Sequence, residues 1–297
     1  MSTPESIALR LRELGTGFNL PEVQALYAPL LAVQDKAGVE SHADQRYGSH
    51  ERQVLDVYQP QAASAALRPV LVCFHGGGFI RGDKAAKANA GWYFARHGLL
   101  TVVPNYRLAP ESRWPSGPQD VAAVVAWLQA HAASFGGDGQ RIVLMGESAG
   151  AAHVAAAVLL RRFGVNAAAG VRGAVLASGP YNARLERLSR TAFGVATPDP
   201  RNDAYFGTDD VGELAACSIV EQVDAAPLPL LISTAERDLL QMQVQAGELF
   251  ARLSVQHGFK PELMLLREHN HFSQGVAVNT GDESYSGPVL DFVKRHA

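Results

Sequence analysis

Cysteine is nearly absent from this 297-residue chain, which holds only Cys73 and Cys217. Two thiols are too few for a disulfide framework, and Cys73, inside the apolar run "PVLVCF", reads as a buried free thiol. Long apolar runs are missing too. "VAAVVAW" and "AAHVAAAVLL" both stop well short of the roughly 18 uncharged residues that a membrane span needs, so no membrane partner is expected. The opening "MSTPESIALRLRELGTGFNL" mixes acids and arginines among its apolar residues, whereas a secretory signal needs an unbroken apolar centre; a cytoplasmic location is expected. Basic blocks are lacking as well, and the net charge is -3, which argues against nucleic acid as a partner.

What the chain does have is apolar mass, with 47% hydrophobic and 19% charged residues, enough for a large core. No Pro/Ser/Gly-rich linker divides it, so one domain over 1–297 is expected. Segments 1–40 and 182–225 stand apart. The first carries helical amphipathic stretches that end near Asn19 and Pro21 and is expected to form an N-terminal cap. The second has weak periodicity and loop-like "ATPDPRND" and "GTDD", and is expected to be a cap insertion of helical and irregular structure. Between them "QVLDVYQP" alternates apolar and polar residues, as a half-buried antiparallel strand near a sheet edge does. "RPVLVCF", "LLTVVPNY", "RIVLMG", "VRGAVLASG" and "PLPLLISTAE" are continuous aliphatic runs, as strands covered on both faces should be. Helical patterns over 84–97, 117–133, 149–162 and 241–257 separate them, and "PELMLLREH" adds a late strand. Strand alternating with helix predicts an α/β fold with a mostly parallel sheet and helices on both faces.

Open parallel sheets bind ligands beyond the carboxyl ends of their strands, and several strand ends here carry reactive groups. "GESAG", Gly146 to Gly150, matches G-x-S-x-G between a strand and a helix, the setting in which a serine is held exposed on a strained turn. Ser148 is the candidate nucleophile. "HGGGF", His75 to Phe79, leaves backbone N–H groups bare beside a strand end, as stabilisation of an oxyanion requires; each such donor is worth roughly 3 kcal/mol. Gly77, Gly78 and the N–H of Ala149 are the candidates, with His75 ordering the loop. A phosphate cradle is disfavoured because neither G-x-x-x-x-G-K-[ST] nor G-x-G-x-x-G occurs. "STAERDLL" offers Glu236 and Asp238 as the carboxylate that would orient a base, with Asp209, Asp210 and Asp224 more remote. "REHNHFS" offers His269 and His271 as the base, and His271, just before Phe272 and Ser273, is favoured. The two imidazoles could also suggest a metal, but no further ligands recur at suitable spacing, so no metal and no organic cofactor are expected.

The chain order serine, acid, histidine is that of the α/β-hydrolases. "HGGGFIRGDK", "PNYRLAPESRWP", "DVAAVVAWL", "FGGDGQRIVLMGESAGA", "TAERDLL" and "HF" resemble, in order and approximate spacing from about residue 53 onward, the hormone-sensitive-lipase-like carboxylesterases of that superfamily. The resemblance implies an α/β-hydrolase fold with a helical cap, His75 to Gly78 as the oxyanion motif, and a catalytic triad of Ser148, Asp238 and His271. It also implies a serine carboxylesterase acting on short-chain or small aromatic esters through an acyl-enzyme. The alternative is an arylformamidase-type amidase using the same triad. Departures are Asn105 where the family often has Asp, Leu239 where Pro often follows the acid, and Phe272 directly after the histidine. Phe18, Phe79, Tyr181 and Phe272 are the candidate substrate-binding residues, the expected partner is a small-molecule ester, and a homodimer is left open.

Overall fold

The computed structural model describes residues 3–297. The chain opens with α1 (Glu5–Leu14) and α2 (Leu20–Ala32), then β1 (Val39–Arg46), β2 (Val54–Pro60), β3 (Arg68–Phe74), α3 (Ala88–Arg96) and β4 (Leu100–Pro104). The middle comprises α4 (Ser116–His131), β5 (Gly137–Glu147), α5 (Ala149–Leu159) and β6 (Val171–Ala177), followed by α6 (Ala183–Phe193), α7 (Asn202–Phe206) and α8 (Val211–Cys217). It closes with β7 (Leu230–Arg237), α9 (Leu240–Gln256), β8 (Glu262–Asn270), the short α10 (Ser273–Val276) and α11 (Ser286–His296). The strands form one eight-stranded sheet in the order β1-β2-β4-β3-β5-β6-β7-β8. Only β2 runs against its neighbours; every pairing from β4 to β8 is parallel.

Alternation within the apolar strands decides which helices cover which face. Val70, Val72 and Phe74 of β3, with Leu144 of β5 and Ile232 of β7, enter the cluster shared with α4, α5 and α9. Their neighbours Leu71 and Cys73, with Val143 and Met145, enter the cluster shared with α3 and α11. A run apolar at every position is therefore one strand feeding two cores. Burying each such Leu or Val side chain contributes about 1.5–3 kcal/mol. Helix α5 shows the same logic in helical form: "AGAAHVAAAVL" is buried along its whole length, as a helix apolar all round should be, and its alanines combine high helix propensity with small bulk.

Two differences from the sequence-based expectation are instructive. Strand β1 was not anticipated, because "VESHADQR" lies at the sheet edge with most of its side chains exposed, so it carries no apolar signature. Pro21, expected near a helix end, sits instead in the first turn of α2, where its missing N–H has no intrahelical partner to lose. Helix α1 packs on β8 and α2 on α10, with Leu11, Val23, Tyr27 and Ala277 forming a third, smaller cluster. Among the described residues no helix is long and apolar enough to cross a membrane.

Candidate active site

The turn from β5 into α5 is fixed by backbone crowding. A Cβ on Gly146 would lie 2.3 Å from the Gly150 carbonyl oxygen, and one on Gly150 would lie 2.5 Å from the His75 carbonyl oxygen and 2.6 Å from that of Phe74. No side chain fits either place. Between them Ser148 is held at φ 52°, ψ -121°, a region non-glycine residues seldom occupy, while its N–H donates to the Ala177 carbonyl at the end of β6 (2.8 Å).

His271 follows β8 and points its ring at this serine. Its Nε2 lies 3.1 Å from Ser148 Oγ, and its Nδ1 lies 2.7 Å from Asp238 Oδ1. An ionised carboxylate can only accept, so Nδ1 carries the proton and Nε2 is left with its lone pair facing the hydroxyl. Asp238 sits just beyond β7 and accepts further hydrogen bonds from Thr234 Oγ1 (2.9 Å), the Ala235 N–H (3.0 Å), the Leu239 N–H (2.9 Å) and Ser178 Oγ. Burial alone would raise its carboxyl, but the neighbouring His271, the Ser178 hydroxyl and the Ala235 amide outweigh that and hold it below the ordinary carboxylate range. Gln274 completes the arrangement by donating to Ser178 Oγ (2.7 Å) and to the His271 carbonyl (3.1 Å).

His269 and Glu236, the other candidates, are placed elsewhere. The His269 ring is fully buried, with Nδ1 2.9 Å from Ser273 Oγ and Nε2 3.3 Å from Asp282. Burial would raise the Asp282 carboxyl, yet His269 and Ser284 hold it down at about 2. This pair braces the loop on which His271 rides. Glu236 turns out from the sheet to accept from the Glu268 N–H (2.7 Å). Asn270 adds a second brace, accepting from the N–H groups of Phe272 (3.1 Å) and Ser273 (3.0 Å).

The glycine loop after β3 lies opposite. Gly77 and Gly78 take φ of 139° and 60°, and a Cβ on Gly77 would stand 1.9 Å from the Arg81 carbonyl oxygen. Among the described residues the N–H groups of Gly77, Gly78 and Ala149 have no backbone acceptor. His75 orders this loop: its Nδ1 is 2.7 Å from the Gly76 carbonyl oxygen and its ring stacks on Tyr106 at 4.3 Å. Burial pushes the His75 imidazole down to about 4, so it stays neutral and Nδ1 donates. Asn105, the departure from the family pattern, accepts from the Lys84 N–H (2.6 Å) and donates to Asp83 (2.9 Å). A carboxylate here could not make the second bond.

These groups open on a pocket of about 400 Å³. Its wall includes Phe18 and Leu20 from the N-terminal segment and Glu186, Arg201 and Asn202 from the stretch between β6 and β7. Of the four aromatic candidates, Phe18, Phe79 and Phe272 line it. Phe18 and Phe272 meet edge to face at 4.8 Å, and Phe79 stacks on Tyr205 at 4.4 Å. Tyr181, expected from the sequence to bind substrate, does not reach the pocket. Its ring folds back over Gly179, where a Cβ would lie 2.6 Å from Tyr181 Cε1, and its buried hydroxyl accepts from the Gly179 N–H (3.2 Å). Sequence reasoning passed over Ser178, Gln274 and the buried ion pair between Lys87 and Glu147. The strand-end rule that drew attention to the other loops would have found Ser178, which directly follows β6.

Comparison with known proteins bears on the fold and on the family. A family profile described as alpha/beta hydrolase fold matches residues 71–274. A probable isoprenylcysteine alpha-carbonyl methylesterase of Oryza sativa subsp. japonica is 37% identical over 116 residues, covering 39% of this chain and 27% of that protein. The carboxylesterase NlhH of Mycobacterium tuberculosis is 40% identical over 99 residues, covering 32% of this chain and 30% of its own. The chain thus spans less than a third of either curated relative's length. Among solved structures, a bacterial heroin esterase superposes with a TM-score of 0.74 at 26% identity, covering 99% of this chain and 98% of the other. An esterase of Pyrobaculum calidifontis superposes with a TM-score of 0.73 at 19% identity, covering 99% of each chain, a likeness of fold.

Proposed function

Because this chain belongs to the alpha/beta hydrolase fold family, we propose that it is a serine carboxylesterase in which Ser148, His271 and Asp238 carry acyl transfer to water. The observation that carries the reading is the line of contacts from Ser148 Oγ to His271 Nε2 (3.1 Å) and from His271 Nδ1 to Asp238 (2.7 Å), opening on the pocket. His271 Nε2 takes the hydroxyl proton as Oγ attacks the ester carbonyl, and Asp238 stabilises the imidazolium that forms. The free N–H groups of Gly77, Gly78 and Ala149 receive the developing oxyanion. Their φ values and the crowding around Gly77 hold them in place before the reaction, so no reorganisation is needed as charge appears. His271 returns its proton to the departing alcohol, and water repeats the sequence on the acyl-enzyme. In the same reading residues 1–40 and 182–225 act as caps on a single domain, since both contribute to the pocket wall.

The pocket volume and the aromatic edge formed by Phe18 and Phe272 suit short acyl chains and small aromatic alcohols. Comparing kcat/KM for p-nitrophenyl acetate, p-nitrophenyl butyrate and N-formylkynurenine tests this. The esters are expected to lead; a large preference for the formamide would replace the esterase reading with the arylformamidase one.

A further inference from the structure

The charges on the pocket wall do not balance. Lys87 and Glu147, both largely buried, neutralise each other as an ion pair beside the nucleophile turn. Glu186, the other carboxyl on the wall, is buried and accepts from Asn202 Nδ2; burial, with the nearby Asp199 carboxylate, pushes it up to about 7. Against these stand Arg81, from the loop after the glycines, and Arg201, from the segment before α7. Arg201 engages Asp199 through Nε (3.0 Å) and Nη2 (3.2 Å), and its Nη1 has no partner among the described residues. The Arg81 guanidinium has neither a hydrogen bond nor an ion pair among them. Both guanidinium carbons lie 5.7 Å from the ring centre of Phe18. In a chain of net charge -3 the pocket mouth therefore presents one guanidinium with no anionic partner among the described residues, Arg81, beside the free Nη1 edge of Arg201, whose own charge is paired with Asp199.

The position of that charge indicates which end of a substrate it meets. Phe18 packs on Phe272 at 4.8 Å, and Phe272 packs on the His271 ring at 4.9 Å. His271 is the group that would hand its proton to the departing alcohol, so the alcohol portion lies on the Phe272 side. We propose that this pocket selects esters whose alcohol portion carries a carboxylate, held by Arg81 and Arg201 with an aromatic or apolar body against Phe18. The inference rests on the esterase reading. It adds to that reading a class of substrate, recognised because a guanidinium donates in a fork that matches a carboxylate.

The test compares 4-acetoxybenzoate with its neutral isostere 4-acetoxybenzamide, in the wild type and in Arg81→Gln and Arg81→Lys. Arg81 is exposed, so both variants should fold. Hydrolysis of the neutral ester tests the esterase reading by itself; the ratio of the two kcat/KM values tests the inference. The wild type is expected to favour the anion by roughly tenfold, mostly through KM, with the ratio falling several-fold in Arg81→Gln, falling less in Arg81→Lys, which keeps the charge but not the fork, and shrinking as salt is raised. A wild-type ratio of one or less would overturn the proposal, as would a ratio that Arg81→Gln leaves unmoved. A preference for anions seen only with mono-p-nitrophenyl glutarate, where the charge is on the acyl side, would overturn it too.

Discussion

The nucleophile turn and the pocket mouth are built in opposite ways. Around Ser148 the constraints are short and closely spaced: glycines that admit no Cβ, an N–H bound across to β6, and a carboxylate held by backbone amides and by the Thr234 and Ser178 hydroxyls. At the mouth, Phe18, Arg81 and Arg201 come from three distant parts of the chain and meet only through ring and guanidinium contacts. The first region fixes where atoms stand to a fraction of an ångström, as chemistry demands. The second fixes only the character of a surface, as selection among substrates demands. Changes in the first should therefore remove activity, and changes in the second should retune it.

The largest effect is expected from Asp238→Asn. The amide can present its NH2 to His271 and favour the wrong tautomer, so kcat should fall by about 10⁴-fold with KM little changed. A loss below tenfold in steady-state kinetics would detach Asp238 from the reaction. Gly150→Ala should come next, because its Cβ would meet two backbone carbonyl oxygens at 2.5 and 2.6 Å. About 3 kcal/mol of stability should be lost, read by denaturant unfolding, together with most of the activity. A folded, fully active Gly150→Ala protein would contradict the crowding described for this turn.

The smallest effect belongs to the mouth. The Glu186 carboxyl is raised, so its favourable contribution to stability is fully present below the ordinary carboxyl range and is lost as pH rises through about 7. Asp238 is lowered and behaves in the opposite sense, its contribution being lost only as pH falls through its depressed folded value. Glu186→Gln should thus flatten the decline in Tm between pH 5 and 8 while leaving the acid limb alone. Parallel Tm curves for variant and wild type would show that Glu186 titrates as an ordinary carboxyl.

The contrast also explains what could be read in advance. The parallel sheet was legible because strands covered on both faces are apolar at every position, and the turn at Ser148 because crowding leaves only glycine at its flanks. The choice between His269 and His271 needed the tertiary partners Asp282 and Asp238, which lie on other segments. Ser178 stands at a strand end and could have been singled out for that, but its bond to Asp238, like the bond of Gln274 to Ser178, joins distant segments that no local pattern connects. Tyr181 was misplaced because an aromatic after a strand end looks the same in sequence whether it turns toward the ligand or back over Gly179. The pairing of Phe18 with Arg81 and Arg201 joins residues 63 and 183 positions apart in the chain and had no sequence signal.

Stoichiometric labelling with a fluorophosphonate, followed by peptide mapping of folded wild type, Ser148→Ala, His271→Ala and His269→Gln, addresses the central claim most directly. One label per chain on Ser148 is predicted for the wild type, none for Ser148→Ala, labelling slowed at least about 100-fold in His271→Ala, and labelling retained in His269→Gln. A label on another residue, or fast labelling in His271→Ala alongside an inert His269→Gln, would contradict the account.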